Sequence, residues 1–309
     1  MITEATAPGK IILCGEHAVV YGRPAIAVPV SQVEAKATLN PAKTGFRIIT
    51  PDLLRDYRLD SAPTDDPIAS IINLTLAQFD EPPPNVTLEL TATIPLGRGL
   101  GSGAAISTVI VRVLAQFFNQ PLNTNTVSDL VFEVEKLYHG TPSGIDNTVI
   151  AYQQPVYFVR GRPIQRLRVK RPFCLVIGDT GVVAPTLLAV GGVRERWQTN
   201  REQYEGYFDE IDGLVRQIRV IVEQGIGKPS ALGKLMNENQ EILEQLGVSS
   251  PELERLVQVA RQAGAWGAKL SGAGQGGNMI ALVEPAQANT VAHALYQTGA
   301  TGVIISQVG

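Results

Sequence analysis

Residues 95–105 read Pro-Leu-Gly-Arg-Gly-Leu-Gly-Ser-Gly-Ala-Ala, with glycine at every second position from Gly97 to Gly103. Alternating glycines let the backbone turn sharply and bring bare N–H groups close to a ligand. Behind them Ile106, Val109, Ile110, Val113, Leu114 and Phe117 recur at helical spacing, which predicts a helix over Ala104–Phe118. A glycine loop feeding a helix N-terminus is an anion site, because the unpaired N–H groups and the helix dipole point the same way. Phosphate is the anion such loops most often serve. Glycines placed for packing alone are the competing reading, and four in alternation fit it poorly.

The loop is not of the P-loop NTPase type, since no Gly-Lys-Ser/Thr closes it. A second cluster, Lys269-Leu-Ser-Gly-Ala-Gly-Gln-Gly-Gly277, contains a formal GxGxxG, but the dinucleotide-binding version must open a helix. Here Asn278-Met-Ile-Ala-Leu-Val283 continues as a strand pattern, so a loop that packs backbone near phosphates is the better reading.

With 309 residues the chain suits two domains. A net charge of −3 gives no basic face at the level of composition, which argues against nucleic acid as a partner. No stretch approaches a membrane span, and Ile11-Ile-Leu-Cys14 is too short for a signal peptide. Cys14 and Cys174 fit neither a metal motif nor a disulfide framework and read as thiols in a reducing cytoplasm. Three histidines argue against a His-rich metal site.

Strands are predicted at Lys10–Leu13, Ala25–Val30, Val33–Leu39, Phe46–Thr50 and Val86–Ala92, then helices at Ala104–Phe118 and Ser128–His139. A strand at Phe173–Ile177 opens the second half, followed by helical patterns from Thr186 to Gly225 with a break near Asn200. Helices at Ser230–Leu246, Pro251–Ala263 and Ala286–Thr298 and strands at Gly267–Leu270, Met279–Val283 and Val303–Ser306 complete an α+β unit. The expected domains are 1–168 and 169–309.

The chain opens with Ala7-Pro-Gly-Lys-Ile-Ile-Leu-Cys-Gly-Glu-His-Ala-Val-Val-Tyr-Gly22 and carries His-Gly-Thr-Pro-Ser-Gly-Ile-Asp at 139–146. With the two glycine loops, these motifs resemble the GHMP kinases in content and order, and among them the mevalonate kinase branch. The Gly-Glu-His-Ala-Val-Val-Tyr-Gly run discriminates: galactokinases differ after Gly-Glu-His, homoserine kinases lack it, and mevalonate diphosphate decarboxylases open otherwise. The resemblance implies an α+β, two-domain GHMP kinase fold, with an N-terminal α+β ATP-binding domain, a C-terminal ferredoxin-like domain and an active site in the cleft between them. It implies phosphorylation of the primary hydroxyl of (R)-mevalonate in isoprenoid biosynthesis, with ATP as co-substrate and Mg²⁺ as cofactor. A homodimer fits the family. The rivals are another small-alcohol kinase of the superfamily, such as one acting on phosphomevalonate, and a silent homologue that only binds ligand.

Residue by residue, the resemblance places the ATP phosphates on Pro95, Gly97, Gly99, Leu100, Gly101, Ser102, Gly103 and Ala104. It makes Asp146 the carboxylate facing the substrate hydroxyl, where its own residues allow equally an Asp that bonds its own turn. A carboxylate with an ordinary pKa of about 4 does not deprotonate an alcohol in the ground state. In a loose phosphoryl-transfer transition state it either orients the hydroxyl or accepts its proton late. Lys10 reads from its surroundings as a snorkelling strand residue, and from the resemblance as the cation beside the catalytic Asp. Glu133 and Glu135 flank the apolar face of Leu130, Val131, Val134, Leu137 and Tyr138 on opposite sides, and periodicity does not separate ligand from solvated charge. The resemblance selects Glu135, with Ser102, for Mg²⁺; Gly103 stands where the family usually has a second serine. Glu16, His17, Thr186, Gly272 and Ala273 take substrate-binding positions. His17 is expected to offer donor capacity to the substrate, and Thr186 reads nearly as well as a helix N-cap. Ala184 replaces a basic residue of some relatives, and Gln275 interrupts the glycines of the last loop.

Overall fold

A computed structural model describes residues 2–139, 142–183 and 185–309, without the side chains of Tyr138 and His139. Gly140 and Thr141 of the 139–146 motif, and Ala184, lie outside the described residues. Packing divides the chain into two compact units, each drawn from several segments. The first takes the chain up to Gly9, Val33–Leu96 and Gly101–Gln153; the second takes Lys10–Gln32, Gly97–Leu100 and Gln154–Gly309. This grouping differs from a single cut at residue 168, because residues 10–32 and 154–168 pack with the second unit.

Strand β1 (Thr3–Cys14) and the long β2 (Ala25–Pro41) each run through both units. β2 joins the two strands expected at 25–30 and 33–39. Ser31 and Gln32 look like a break in the sequence but are exposed residues within one strand. In the first unit β3 (Phe46–Thr50) pairs antiparallel with β4 (Arg55–Arg58) and parallel with β5 (Val86–Ala92), which pairs antiparallel with β2. A parallel pair needs a long crossover, and α1 (Pro67–Phe79), absent from the sequence expectations, lies within it. Asp66 caps α1 by accepting from the Ile68 and Ala69 N–H groups at 2.8 and 3.0 Å, Pro67 sets the first turn, and Ile68, Ile71, Ile72, Leu76 and Phe79 face the core. α2 (Ser102–Phe117) and α3 (Thr124–His139) pack with it, and the short α4 (Ile145–Tyr152), also absent from the sequence expectations, packs on α2 and α3.

The second unit holds β6 (Val156–Phe158), antiparallel to the first part of β2, and β7 (Gln165–Arg166) beside it. Then come β8 (Phe173–Asp179) and the helices α5 (Thr186–Thr199), α6 (Arg201–Gln224), α7 (Pro229–Gln245) and α8 (Pro251–Gln262). Asn200 leaves helical geometry between α5 and α6, at the expected break. β9 (Gly267–Ser271), β10 (Asn278–Val283), α9 (Ala288–Gln297) and β11 (Gly302–Val308) complete the unit. The sheet order is β11-β8-β10-β9, antiparallel throughout, with α8 and α9 packed on it. In chain order of its own strands that is fourth, first, third, second, the ferredoxin-like arrangement, with the first helical connection enlarged to four helices.

Asp66 also holds Arg55 and the Tyr57 hydroxyl, the latter at 2.9 Å. Asp66→Ala is expected to lower stability by at least about 1–2 kcal/mol, because the cap is lost and the Tyr57 hydroxyl and Arg55 lose their acceptor. Urea unfolding of the variant and of Asp66→Asn, which retains a capping oxygen, measures this.

Candidate active site

In the second unit, the Gly15–Gly22 motif follows the end of β1, and the last glycine loop follows β9. Alternate residues from β9 onward hold the motif. Ser271 Oγ accepts from the Ile12 N–H at 3.0 Å and donates to the Ile12 carbonyl at 2.9 Å. The Lys269 ammonium contacts the Glu16 carboxylate, with both side chains fully enclosed. Ala273 supplies its carbonyl to His17 Nε2 at 2.9 Å. Residues two apart in a strand share a face, so β9 and its extension present one row of ties to residues 12, 16 and 17.

This row bears on the substrate candidates Glu16 and His17. A carbonyl only accepts, so the His17 proton sits on Nε2 and Nδ1 carries the lone pair. Burial lowers the ring's pKa to about 4 against the pull of the Ala273 carbonyl, and the charges of Arg196 and Lys269 lower it further. The expected donor is therefore an acceptor: a neutral imidazole whose N–H is already committed. Its backbone is strained, with φ 60° and ψ −52°, and Glu16 O accepts from Ala18 N at 2.7 Å. That is a γ-turn of the positive-φ kind, and such outliers cost about 1–3 kcal/mol. Glu16 does not face solvent. Burial pushes its carboxyl above the usual range while Lys269 pulls it back, and Oε2 has no hydrogen-bond partner among the described residues. Removing one member of such a pair costs about 3–5 kcal/mol.

Lys10 is buried rather than snorkelling, and its N–H donates to the Leu100 carbonyl at 2.9 Å, fixing the first glycine loop to β1. Arg98 of that loop bonds Asp179 at 3.2 Å and gives its carbonyl to the Asn278 amide. Gly97 and Gly99 are exposed, with φ of 67° and 81°. A Cβ on Gly97 would reach only Val183, at 4.0 Å, and one on Gly99 would meet nothing within 4 Å, so backbone conformation and not crowding demands glycine here. Gln275 keeps a φ of 60° without being glycine. Its side chain donates to the Gly247 and Ser249 carbonyls at 2.8 and 3.3 Å and holds the loop in their place. Gly272 and Ala273 are half-buried in the same loop. Thr186 is exposed as the first residue of α5; Pro185 occupies the cap position, so the N-cap alternative fails. An open pocket of about 390 Å³, lined by Val183, Pro185, Leu188, Arg196 and Gln275 among others, lies against that helix.

In the first unit Pro95 is half-buried, and Gly101, with φ 77°, opens α2. Ser102 and Gly103 form the first turn, and Ala104 is buried behind them. Among the described residues no side chain caps α2, so its first-turn N–H groups suit an anion. Glu135 on α3 reaches this turn, since a Cβ on Gly103 would lie 3.5 Å from its Oε1. Glu133 is exposed and pairs with Lys136 at 2.5 Å. The structure thus separates two carboxylates that periodicity leaves equivalent. Among the described residues no cluster of three or more His, Cys, Asp or Glu forms a metal cage. One carboxylate beside a hydroxyl-bearing helix turn fits Mg²⁺, which completes its shell with phosphate oxygens and water. Asp146 is half-buried in the first turn of α4, where the helix dipole favours a carboxylate. Its neighbour Asn147 bonds the Ser128 carbonyl and hydroxyl at 3.1 and 2.9 Å, fixing α4 on α3.

Lys269, Ser271, Arg98 and Asp179 are functional-site neighbours that the sequence motifs do not single out. Lys269 carried a signal, a lysine within an apolar strand segment, since a fully buried charge requires a partner.

The His17 ring has a consequence for pH. The unfolded chain binds a proton near pH 6.5, and the folded chain does so only near 4. Between these values the unfolded state holds more protons, so this group's contribution to stability falls as pH drops through the window. Wild type is expected to lose more stability than His17→Gln between pH 7 and 5 in urea unfolding.

The family model described as the GHMP kinases N terminal domain matches residues 67–154, and that described as GHMP kinases C terminal matches residues 218–301. Mevalonate kinase of Pyrococcus abyssi (strain GE5 / Orsay) is 34% identical over 318 residues, covering 97% of this chain and 94% of that protein. The crystal structure of L. major mevalonate kinase in complex with R-mevalonate has a TM-score of 0.85 at 29% identity, covering 99% of this chain and 95% of that one. Streptococcus pneumoniae phosphomevalonate kinase, solved with phosphomevalonate and AMPPNP, reaches a TM-score of 0.83 at 19% identity, covering 98% and 99%, a likeness of fold alone. The chain belongs to the GHMP kinase family, with mevalonate kinases as its relatives along nearly its whole length.

Proposed function

We propose that this protein is an ATP- and Mg²⁺-dependent kinase that phosphorylates the primary hydroxyl of (R)-mevalonate. The observation that carries the reading is the similarity to mevalonate kinases over 97% of the chain. The chemistry of the candidate residues agrees with it. In the transfer, the substrate oxygen bonds the γ-phosphorus, the bond from that phosphorus to the bridging oxygen breaks, and ADP leaves with the electron pair. The hydroxyl proton passes to the Asp146 carboxylate as the new bond forms. Lys10 supplies a buried cation for charge developing on the transferring group. Residues 95–104 bind the phosphates through backbone N–H groups, and Glu135 and Ser102 would hold Mg²⁺, which neutralises phosphate oxygens when bound. The neutral His17 Nδ1 accepts from a substrate hydroxyl, with Thr186, Gly272 and Ala273 completing the acceptor site. Along the sequence, as distinct from the packing units, we assign domains 1–168 and 169–309, each holding one matched family region, and a cytoplasmic location, which suits the two buried free thiols.

A panel of mevalonate, phosphomevalonate, homoserine and galactose with ATP tests the substrate; turnover of mevalonate above the others is expected, and its absence overturns the reading. Asp146→Asn and Lys10→Met are each expected to lower kcat about a hundredfold or more while nucleotide still binds. Near-normal turnover in either would remove that residue from the mechanism. Glu135→Gln is expected to raise the Mg²⁺ concentration for half-maximal rate, with Glu133→Gln close to wild type. Equal effects would mean that helix charge, and not ligation, is responsible.

A further inference from the structure

Lys269 is enclosed in β9, and its ammonium reaches two acceptors, the Glu16 carboxylate and the Leu270 carbonyl. It therefore has no route to a substrate. Glu16 is equally enclosed and immediately precedes His17, whose strained turn is closed by the Glu16 carbonyl itself. A backbone conformation of this kind persists only where its surroundings over-determine it. Two constraints act here from β9 and its extension. Ala273 takes the ring N–H, and Lys269 pins the side chain one residue earlier.

The charges around Glu16 show why the pin matters. Lys269 and Lys10 are the cations acting on it, and Cys14 and His17 are the other titratable neighbours, the first a buried thiol and the second a neutral ring. Without Lys269 the enclosed carboxylate keeps only the weaker pull of Lys10, with one oxygen lacking a partner among the described residues. It must then take a proton or swing toward water, and either change loosens the residue that closes the turn.

We propose that Lys269 is a positioning residue for the acceptor substrate: by neutralising Glu16 in the interior it fixes the γ-turn that holds the His17 Nδ1 lone pair toward a substrate hydroxyl. This rests on the kinase reading above for the identity of the acceptor, and it concerns a residue that touches neither substrate nor nucleotide.

The experiment uses the full chain with Lys269→Met, Lys269→Arg and the double variant Glu16→Gln/Lys269→Met. Steady-state kinetics are measured with mevalonate and MgATP, alongside ¹⁵N side-chain NMR of the three histidines. Lys269→Met is expected to raise KM for mevalonate about tenfold or more, with KM for ATP changed less than about twofold. Its His17 signal should leave the neutral Nε2–H form for a tautomer mixture. Lys269→Arg, which keeps the charge, and the double variant, which removes the stranded carboxylate, should each recover most of the loss, the double by non-additivity. Wild-type KM for mevalonate and an unchanged His17 signal in Lys269→Met would overturn the proposal. So would a fall in apparent kcat that tracks the folded fraction while both KM values stay at wild type. If Lys269→Met does not fold, the other two variants decide: a double variant with the His17 signal and mevalonate KM of wild type supports the proposal, and one that folds with both disturbed overturns it. If the wild type does not turn over mevalonate, the substrate reading fails, and the His17 signal alone decides the role of Lys269.

Discussion

A charge pair buried at the end of β1 organises the candidate active site of the second unit. Glu16 and Lys269 are both fully enclosed, and neither is tolerable there without the other. Around them the structure adds neutral ties, from Ser271 to Ile12 and from Ala273 to His17, at every second residue of β9 and its extension. A hydrophobic pair of the same size could hold the two segments together. It would not fix their register, because apolar contacts are non-directional. The ionic and hydrogen-bonded row specifies which residue opposes which, and so delivers His17 in one tautomer and one strained conformation.

The glycine loop at residues 95–105 shows the same economy of charge. Its one cation, Arg98, is directed to Asp179 and its backbone is tied at Leu100 and Arg98. The exposed glycines between these ties offer backbone dipoles rather than side-chain charge. A loop of this design presents aligned N–H groups suited to an anion, and positive φ calls for glycine at Gly97, Gly99 and Gly101.

Much of this was legible in the sequence. The glycine loop and its helix, the break at Asn200 and the second α+β unit all follow local patterns that tertiary packing reinforced. Helix α1 is equally legible, in Asp66-Pro67 followed by Ile68, Ile71, Ile72, Leu76 and Phe79, and a connection over 51–85 without a helix is long for a compact domain. The short α4 is different. It starts at a glycine with no capping side chain and is held by Asn147 bonding across to α3, so its signal is tertiary. The choice between Glu133 and Glu135 was not available to periodicity either; contact with the α2 turn separates them. Lys269 reads locally as a strand lysine, because its partner is 253 residues away.

That separation governs the order in which the protein matures. The ties between the N-terminal motif and β9 span 253, 256 and 259 residues. During synthesis the Gly-Glu-His turn emerges first, and the residues that fix it follow only 253 to 259 residues later, at about 5–20 residues per second. Until then Glu16 is a solvated carboxylate and His17 an ordinary titrating imidazole in an unstrained backbone. Closing loops of this length carries its entropy cost before any contact rewards it. A truncated or nascent chain therefore displays the motif without the acceptor geometry, and the turn assembles as a late event of folding.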